Sequence, residues 1–211
     1  MINWSTTDGK LLDCAHETHR TEKGEFYHGS YRILTSGRED GIHREGVALI
    51  LTKKASTALL SFEPISPRML KARFRTRFGA LVIIQVYALT TAAKEEIIDQ
   101  FYSDLQRTVD NTARRDVLIV MGDLNAKVRL DANGVIGQHG IGEENERGER
   151  LLNFCSCNNL VIANTLLKQS KPQRKWTWTS PGHSQLMLDQ ITSWFWLNSD
   201  YGLKQAQRNR S

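Results

Sequence analysis

The chain has 211 residues, of which 40% are hydrophobic and 24% charged; that supports one domain with a substantial core and excludes a disordered, collagenous or disulfide-framework protein. Lys and Arg outnumber Asp and Glu to give a net charge of +5, which suits a polyanionic ligand without specifying one. Three cysteines make an odd count that points to a reducing compartment; no signal peptide is expected from the polar first ten residues, and no apolar run approaches the roughly 20 residues of a membrane span.

Met1 to His43 is polar and weakly periodic, with Gly9, Gly24, Gly29, Gly37 and Gly41, so loops and short strands are expected. Within it, His16-Glu17-Thr18-His19 spaces its histidines three apart rather than four, which argues against a zinc helix. Val47 to Leu51 reads as a buried strand. Leu70 to Arg77 alternates: Leu70, Ala72 and Phe74 face one way, and Lys71, Arg73, Arg75 and Arg77 the other. That basic row is open to phosphate contact, but a solvated outer sheet face is the default for such a run. Leu81 to Tyr87 is a second buried strand, and Lys94 to Asp110 is a helix with Ile97, Ile98, Phe101, Leu105 and Val109 as its apolar stripe. Val117 to Met121 is the next strand, Glu146 to Asn158 a helix, and Leu160 to Ala163 another strand. Cys155-Ser156-Cys157 lacks a second ligand pair, so its thiols are expected to pack on a helix face. Lys175 to Thr179 alternates, and Leu186 to Ile191 reads as a last short strand. Strands interleaved with helices, without repeats or a linker, describe a layered α/β protein.

The strand from Val117 ends abruptly in Gly122-Asp123-Leu124-Asn125. Ligands in layered α/β proteins collect at carboxyl ends of strands, so Asp123 and Asn125 are placed for chemistry; the same residues also make an ordinary turn. Further acids stand at Glu17, Asp189 and Asp200. A hard cation such as Mg²⁺ needs few protein carboxylates and fills its other positions with water and substrate phosphate, so one acid can hold metal while another activates water. Singly, each acid is an ordinary turn or surface residue. Trp176 and Trp178 could stack on a nucleotide base or belong to the core.

In order, Ser36-Gly37-Arg38-Glu39-Asp40-Gly41, His43-Arg44-Glu45-Gly46-Val47-Ala48, Gln85-Val86-Tyr87-Ala88, Gly122 to Val128, Gly148-Glu149-Arg150, Trp176 to Pro181 and Leu188-Asp189-Gln190-Ile191 resemble the endonuclease/exonuclease/phosphatase superfamily. The likeness runs from about Leu12 to Gln207 and is to its retrotransposon (LINE)-derived, craniofacial development protein 2-like group. It implies a four-layer α/β sandwich, two packed sheets flanked by helices, as one domain over residues 1–211. It also implies metal-dependent phosphodiester hydrolysis with Mg²⁺, or Mn²⁺ in its place, on DNA. By position, Glu17 matches the metal-binding Glu, Tyr87 and Asn125 match phosphate contacts, and Asp123 matches the water-activating Asp. Asp189 matches the Asp that orients a catalytic His, and Asp200 an acid near the metal.

The chain also departs from the family pattern. Only 16 residues precede Glu17, so the first strand, with its metal-binding Asn, and most of the next helix are expected to be missing. Asp189 and Asp200 are 11 positions apart, which implies an internal deletion near the C-terminal region. The residues after Tyr87 are Ala88-Leu89-Thr90 where the family has a proline, and Tyr201 stands where the catalytic His belongs. The expectation is therefore an Mg²⁺-dependent DNA endonuclease of little activity, the alternative a non-catalytic retrotransposon relic or nucleic-acid-binding remnant. A phosphatase or abasic-site nuclease is a third reading. A monomer without membrane attachment, in the nucleus or cytoplasm, completes the picture.

Overall fold

A run of five apolar residues suits a strand with both faces covered. In the computed structural model, which describes residues 12–16, 18, 22–40, 45–77, 79–90, 92–128, 135–136, 145–166 and 196–198, Val47–Leu51 (β4) is buried along its whole length. β1 (Leu12–His16) and β3 (Tyr31–Ser36) flank it antiparallel, and β2 (Gly24–His28) pairs with β3, giving the order β1-β4-β3-β2. A second sheet holds β5 (Leu59–Ser66), β6 (Met69–Thr76), β7 (Gly79–Tyr87) and β8 (Val117–Asp123) in that order. α1 (Lys53–Ala58) links the sheets in sequence; the Thr52 hydroxyl caps it by accepting from the Ala55 N–H at 3.4 Å.

The sheets pack face to face. Leu34, Val47, Leu49 and Leu51 of the first meet Leu70, Ala72, Phe74, Ile83, Tyr87 and Met121 of the second. Each fully buried Leu or Ile contributes about 1.5–3 kcal/mol through removal of apolar surface from water. Along β6 the alternation holds, with Leu70, Ala72 and Phe74 in this core. The opposite face meets the expectation of a solvated surface only in its second half, because Lys71 and Arg73 are tied to neighbouring elements. Lys71 Nζ donates to the Thr108 and Asn111 carbonyls at 3.4 and 3.2 Å, and Arg73 Nε donates to the nearly buried Asp116 carboxylate at 2.8 Å. Two of the four cations thus fasten the C-terminal end of α2 (Glu95–Asp110) and the loop behind it, where exposed carbonyls favour positive charge. The Asp116 hydrogen bond raises the Arg73 guanidinium above its ordinary range. Arg75 and Arg77 are exposed.

The chain gathers into two compact units. One is Met1–Ala88 with Glu95–Gly122; the other is Leu89–Lys94 with Asp123–Ser211. The first holds everything above except Asp123, the last residue of β8. The second contains α3 (Glu146–Cys157), β9 (Leu160–Ile162), α4 (Ala163–Leu166) and β10 (Trp196–Asn198), with β10 antiparallel to β9 and a parallel bridge from Ile136 to Ile162. On α3, Cys155 is buried and its Sγ donates to the Leu151 carbonyl at 2.6 Å, while Cys157 is exposed; burial pushes the Cys155 thiol far up, so it stays neutral. Ala163 begins a helix instead of ending the strand. The segments Lys175 to Thr179 and Leu186 to Ile191 lie outside the described residues. No helix among the described residues is long and apolar enough to cross a membrane.

Candidate active site

Alternation along β7 sends Leu81, Ile83, Gln85 and Tyr87 toward the core between the sheets. Tyr87 is the last residue of the strand and is 7% exposed. Its backbone N–H donates to the Arg68 carbonyl at 2.9 Å. Arg68 lies in the short turn between β5 and β6, where its own N–H is received by the Ser66 hydroxyl at 3.2 Å. The Arg68 side chain then folds back over Tyr87. Nη1 donates to the Tyr87 carbonyl at 3.3 Å, and the guanidinium carbon sits 4.8 Å from the ring centroid. Nη2 donates to Glu45 Oε1 at 3.0 Å, and Arg38 Nη1 lies 3.7 Å from the same oxygen. Arg38 also pairs with Asp40, whose side-chain hydrogen bond raises the Arg38 guanidinium above its ordinary range. The Ser36 hydroxyl donates to the Ser66 carbonyl at 2.6 Å and joins the end of β3 to the end of β5.

β8 carries the Gly-Asp-Leu-Asn motif. Gly122 has φ +135°, and a Cβ built on it would lie 1.9 Å from the Val86 carbonyl oxygen. Only glycine allows β8 to run that close to β7 one residue before Tyr87. Asp123 follows as the last residue of the strand. In the second unit, its Oδ1 accepts from the Asn125 N–H at 3.0 Å, and Asn125 takes the left-handed conformation at φ +49°, which asparagine tolerates better than most residues. Leu124, Ala126 and Val128 are buried, while Asp123, Asn125 and Lys127 are half-buried between them. The motif therefore closes β8 in an Asx turn, as its turn reading expects.

Asn145 fixes the next part of that segment. Its Oδ1 accepts from the Lys127 N–H at 2.9 Å and the Gly148 N–H at 2.8 Å, so it caps α3 and ties it to Lys127 at once. A Cβ on Gly148 would come within 1.6 Å of the Lys127 carbonyl oxygen.

Of the residues expected from sequence, Tyr87, Asp123 and Asn125 are described; Tyr87 belongs to the first unit, Asp123 and Asn125 to the second. Glu17, Asp189 and Asp200, with Trp176, Trp178 and Tyr201, lie outside the described residues. Beside Glu17, His16 pairs with Val47, and the Thr18 N–H donates to the Gly46 carbonyl at 3.2 Å. No group of three or more His, Cys, Asp or Glu side chains gathers among the described residues. The oxygen donors of Asp123 and Asn125 are of the class that suits Mg²⁺, which takes only one or two carboxylates from a protein. Arg68 escaped the sequence reading, and Glu45 entered it only within the His43 to Ala48 motif, without a role. The one signal for Arg68 was its place after Ser66-Pro67, which is a turn only once β5 is recognised.

Two curated proteins called craniofacial development protein 2, from Tragulus javanicus and Bos taurus, are each 41% identical to this chain over 173 residues. Those residues are 81% of the chain and 30% and 29% of the relatives, so the chain spans under a third of their length. Among solved structures, the chain is similar to the endonuclease domain of TRAS1, a telomere-specific non-LTR retrotransposon, with a TM-score of 0.53 at 17% identity, over 84% of the chain and 71% of that structure. It is also similar to the AP endonuclease LMAP from Leishmania major, with a TM-score of 0.61 at 12% identity, over 92% and 71%. At those identities the likeness shows the fold. No protein-family model matches the chain.

Proposed function

This chain is a homologue of craniofacial development protein 2 built on an endonuclease/exonuclease/phosphatase-like fold, and on that premise we propose that it is an Mg²⁺-dependent phosphodiester hydrolase of the DNA endonuclease type with weak activity. Hydrolysis needs an in-line water, a base beside it and positive charge or hydrogen-bond donors at the phosphoryl oxygens. Asp123 is the base. Asn125 and the Tyr87 phenol are the phosphate contacts. Glu17 and Asp200 would hold the metal, which when bound supplies charge to the phosphoryl oxygens. Asp189 has no imidazole to orient, because Tyr201 stands at the position of the His. A phenol with an ordinary pKa of roughly 10 is a poor substitute for an imidazolium donor, so the reaction is slow.

The observation that carries this reading is the end of β8: a glycine that only close backbone approach requires, followed directly by a carboxylate and an asparagine in a fixed turn. The test is nicking of supercoiled plasmid with Mg²⁺ against EDTA, using Asp123→Ala as control. Slow Mg²⁺-dependent nicking that the variant abolishes is expected. No difference between chain and variant favours the second reading, a non-catalytic nucleic-acid-binding remnant, for which Tyr201 is the specific support.

A further inference from the structure

Arg68 has no role in the reaction as proposed above, yet it engages Tyr87 at three points. Its carbonyl accepts from the Tyr87 N–H at 2.9 Å, its Nη1 donates to the Tyr87 carbonyl at 3.3 Å, and its guanidinium carbon lies 4.8 Å from the ring centroid. Glu45 anchors the same guanidinium at 3.0 Å and is itself approached by Arg38 at 3.7 Å. The Arg68 side chain is only 20% exposed and that of Glu45 18%. An ion pair near the surface contributes little by itself. Here, however, one planar group donates to a carbonyl, donates to a carboxylate and lies over an aromatic face. Arginine can do this and lysine cannot, because the ammonium is a point charge without a fork or a plane.

We propose that Arg68 is a positioning residue for Tyr87, held in place by Glu45, so that the phenol meets the phosphate in one orientation. This rests on the proposed role of Tyr87 as a phosphate contact. Tyr87 closes its strand and is packed into the core with 7% of its surface exposed, so what remains to be fixed is the orientation of the edge that faces out. A guanidinium over the ring and a hydrogen bond to its carbonyl restrict both the ring and the backbone before substrate arrives. Binding then loses less side-chain entropy.

The test measures affinity for a short DNA duplex in EDTA, so that no cleavage occurs, for Arg68→Lys, Arg68→Gln, Tyr87→Phe and the double variant Arg68→Gln/Tyr87→Phe. Each single change is expected to weaken binding by up to about tenfold. The double variant should bind no more weakly than Tyr87→Phe, because Arg68 acts through the phenol. Additive losses would mean that Arg68 meets the DNA itself and would overturn the proposal, as would Arg68 variants that bind like the parent while Tyr87→Phe is weakened. Should Tyr87→Phe leave both binding and nicking unchanged, the role given to Tyr87 in the reaction fails. The contact itself is then judged by NMR of the chain labelled with ¹³C-tyrosine, in which Tyr87→Phe identifies one signal among five tyrosines. Arg68→Lys should shift and broaden that signal selectively, at a melting temperature close to the parent's. An unmoved signal overturns the positioning role.

Discussion

Gln85 sits in β7 between Ile83 and Tyr87 with no exposed surface, and neither its amide oxygen nor its amide nitrogen has a partner among the described residues. An unsatisfied buried polar group costs about 1–3 kcal/mol. Leucine is similar in size and has no polar atoms, so Gln85→Leu is expected to raise the melting temperature by roughly 2–6 °C. Thermal unfolding followed by circular dichroism checks this; a lower value would mean that the amide is satisfied by an internal water. At this scale the sequence was readable where chemistry and pattern coincide. Tyr87 ends an apolar run, and Asp123 and Asn125 break one. Arg68 was not readable, because nothing in the order of residues says which cation lies over a ring 19 positions later. Lys71 and Arg73 show the same limit: alternation gave their face correctly, but their partners at Thr108, Asn111 and Asp116 come from long-range packing.

Among the elements, those with strong periodicity were legible. β4, β6, β7, β8, α2 and α3 fall within two residues of their expected ends. β5 was not foreseen, because Pro64 and two register shifts, between Leu59 and Ser61 and between Pro64 and Ser66, erase its alternation. A proline is tolerated there since β5 is an edge strand of its sheet. α1, α4 and β10 are six, four and three residues long, too short to carry a period. α3 makes the sharper test. Its start is fixed by Asn145 bonding both Lys127 and Gly148, and the 1.6 Å approach at Gly148 involves a backbone oxygen that cannot turn aside. Gly148→Ala is expected to cost about 3 kcal/mol or more, read as the midpoint of urea unfolding. A cost within about 0.5 kcal/mol, the range of an ordinary surface change, would show that α3 does not need this contact.

For the whole molecule, the order of short motifs along the chain carried the fold. Two four-stranded sheets with helices match nuclease structures at 12% and 17% identity, where no single segment would have been convincing. The net charge of +5 supports a prediction at the same scale. If DNA is the ligand, affinity should fall linearly on logarithmic axes as salt rises, by about 0.9 in slope for each phosphate neutralised. Gel-shift titrations between 50 and 200 mM salt, flanking the roughly physiological range, would measure it, and an affinity indifferent to salt would exclude a phosphate-directed ligand. Finally, both large sheets, apart from Asp123 at the end of β8, belong to a unit that closes at Gly122, while α3 and β9 follow 24 to 40 residues later. A ribosome adding roughly 5–20 residues per second needs about 2–8 s to make those 40 residues. The described strands of both large sheets have all been synthesised by then, so they can begin to pair as they emerge, ahead of α3 and β9.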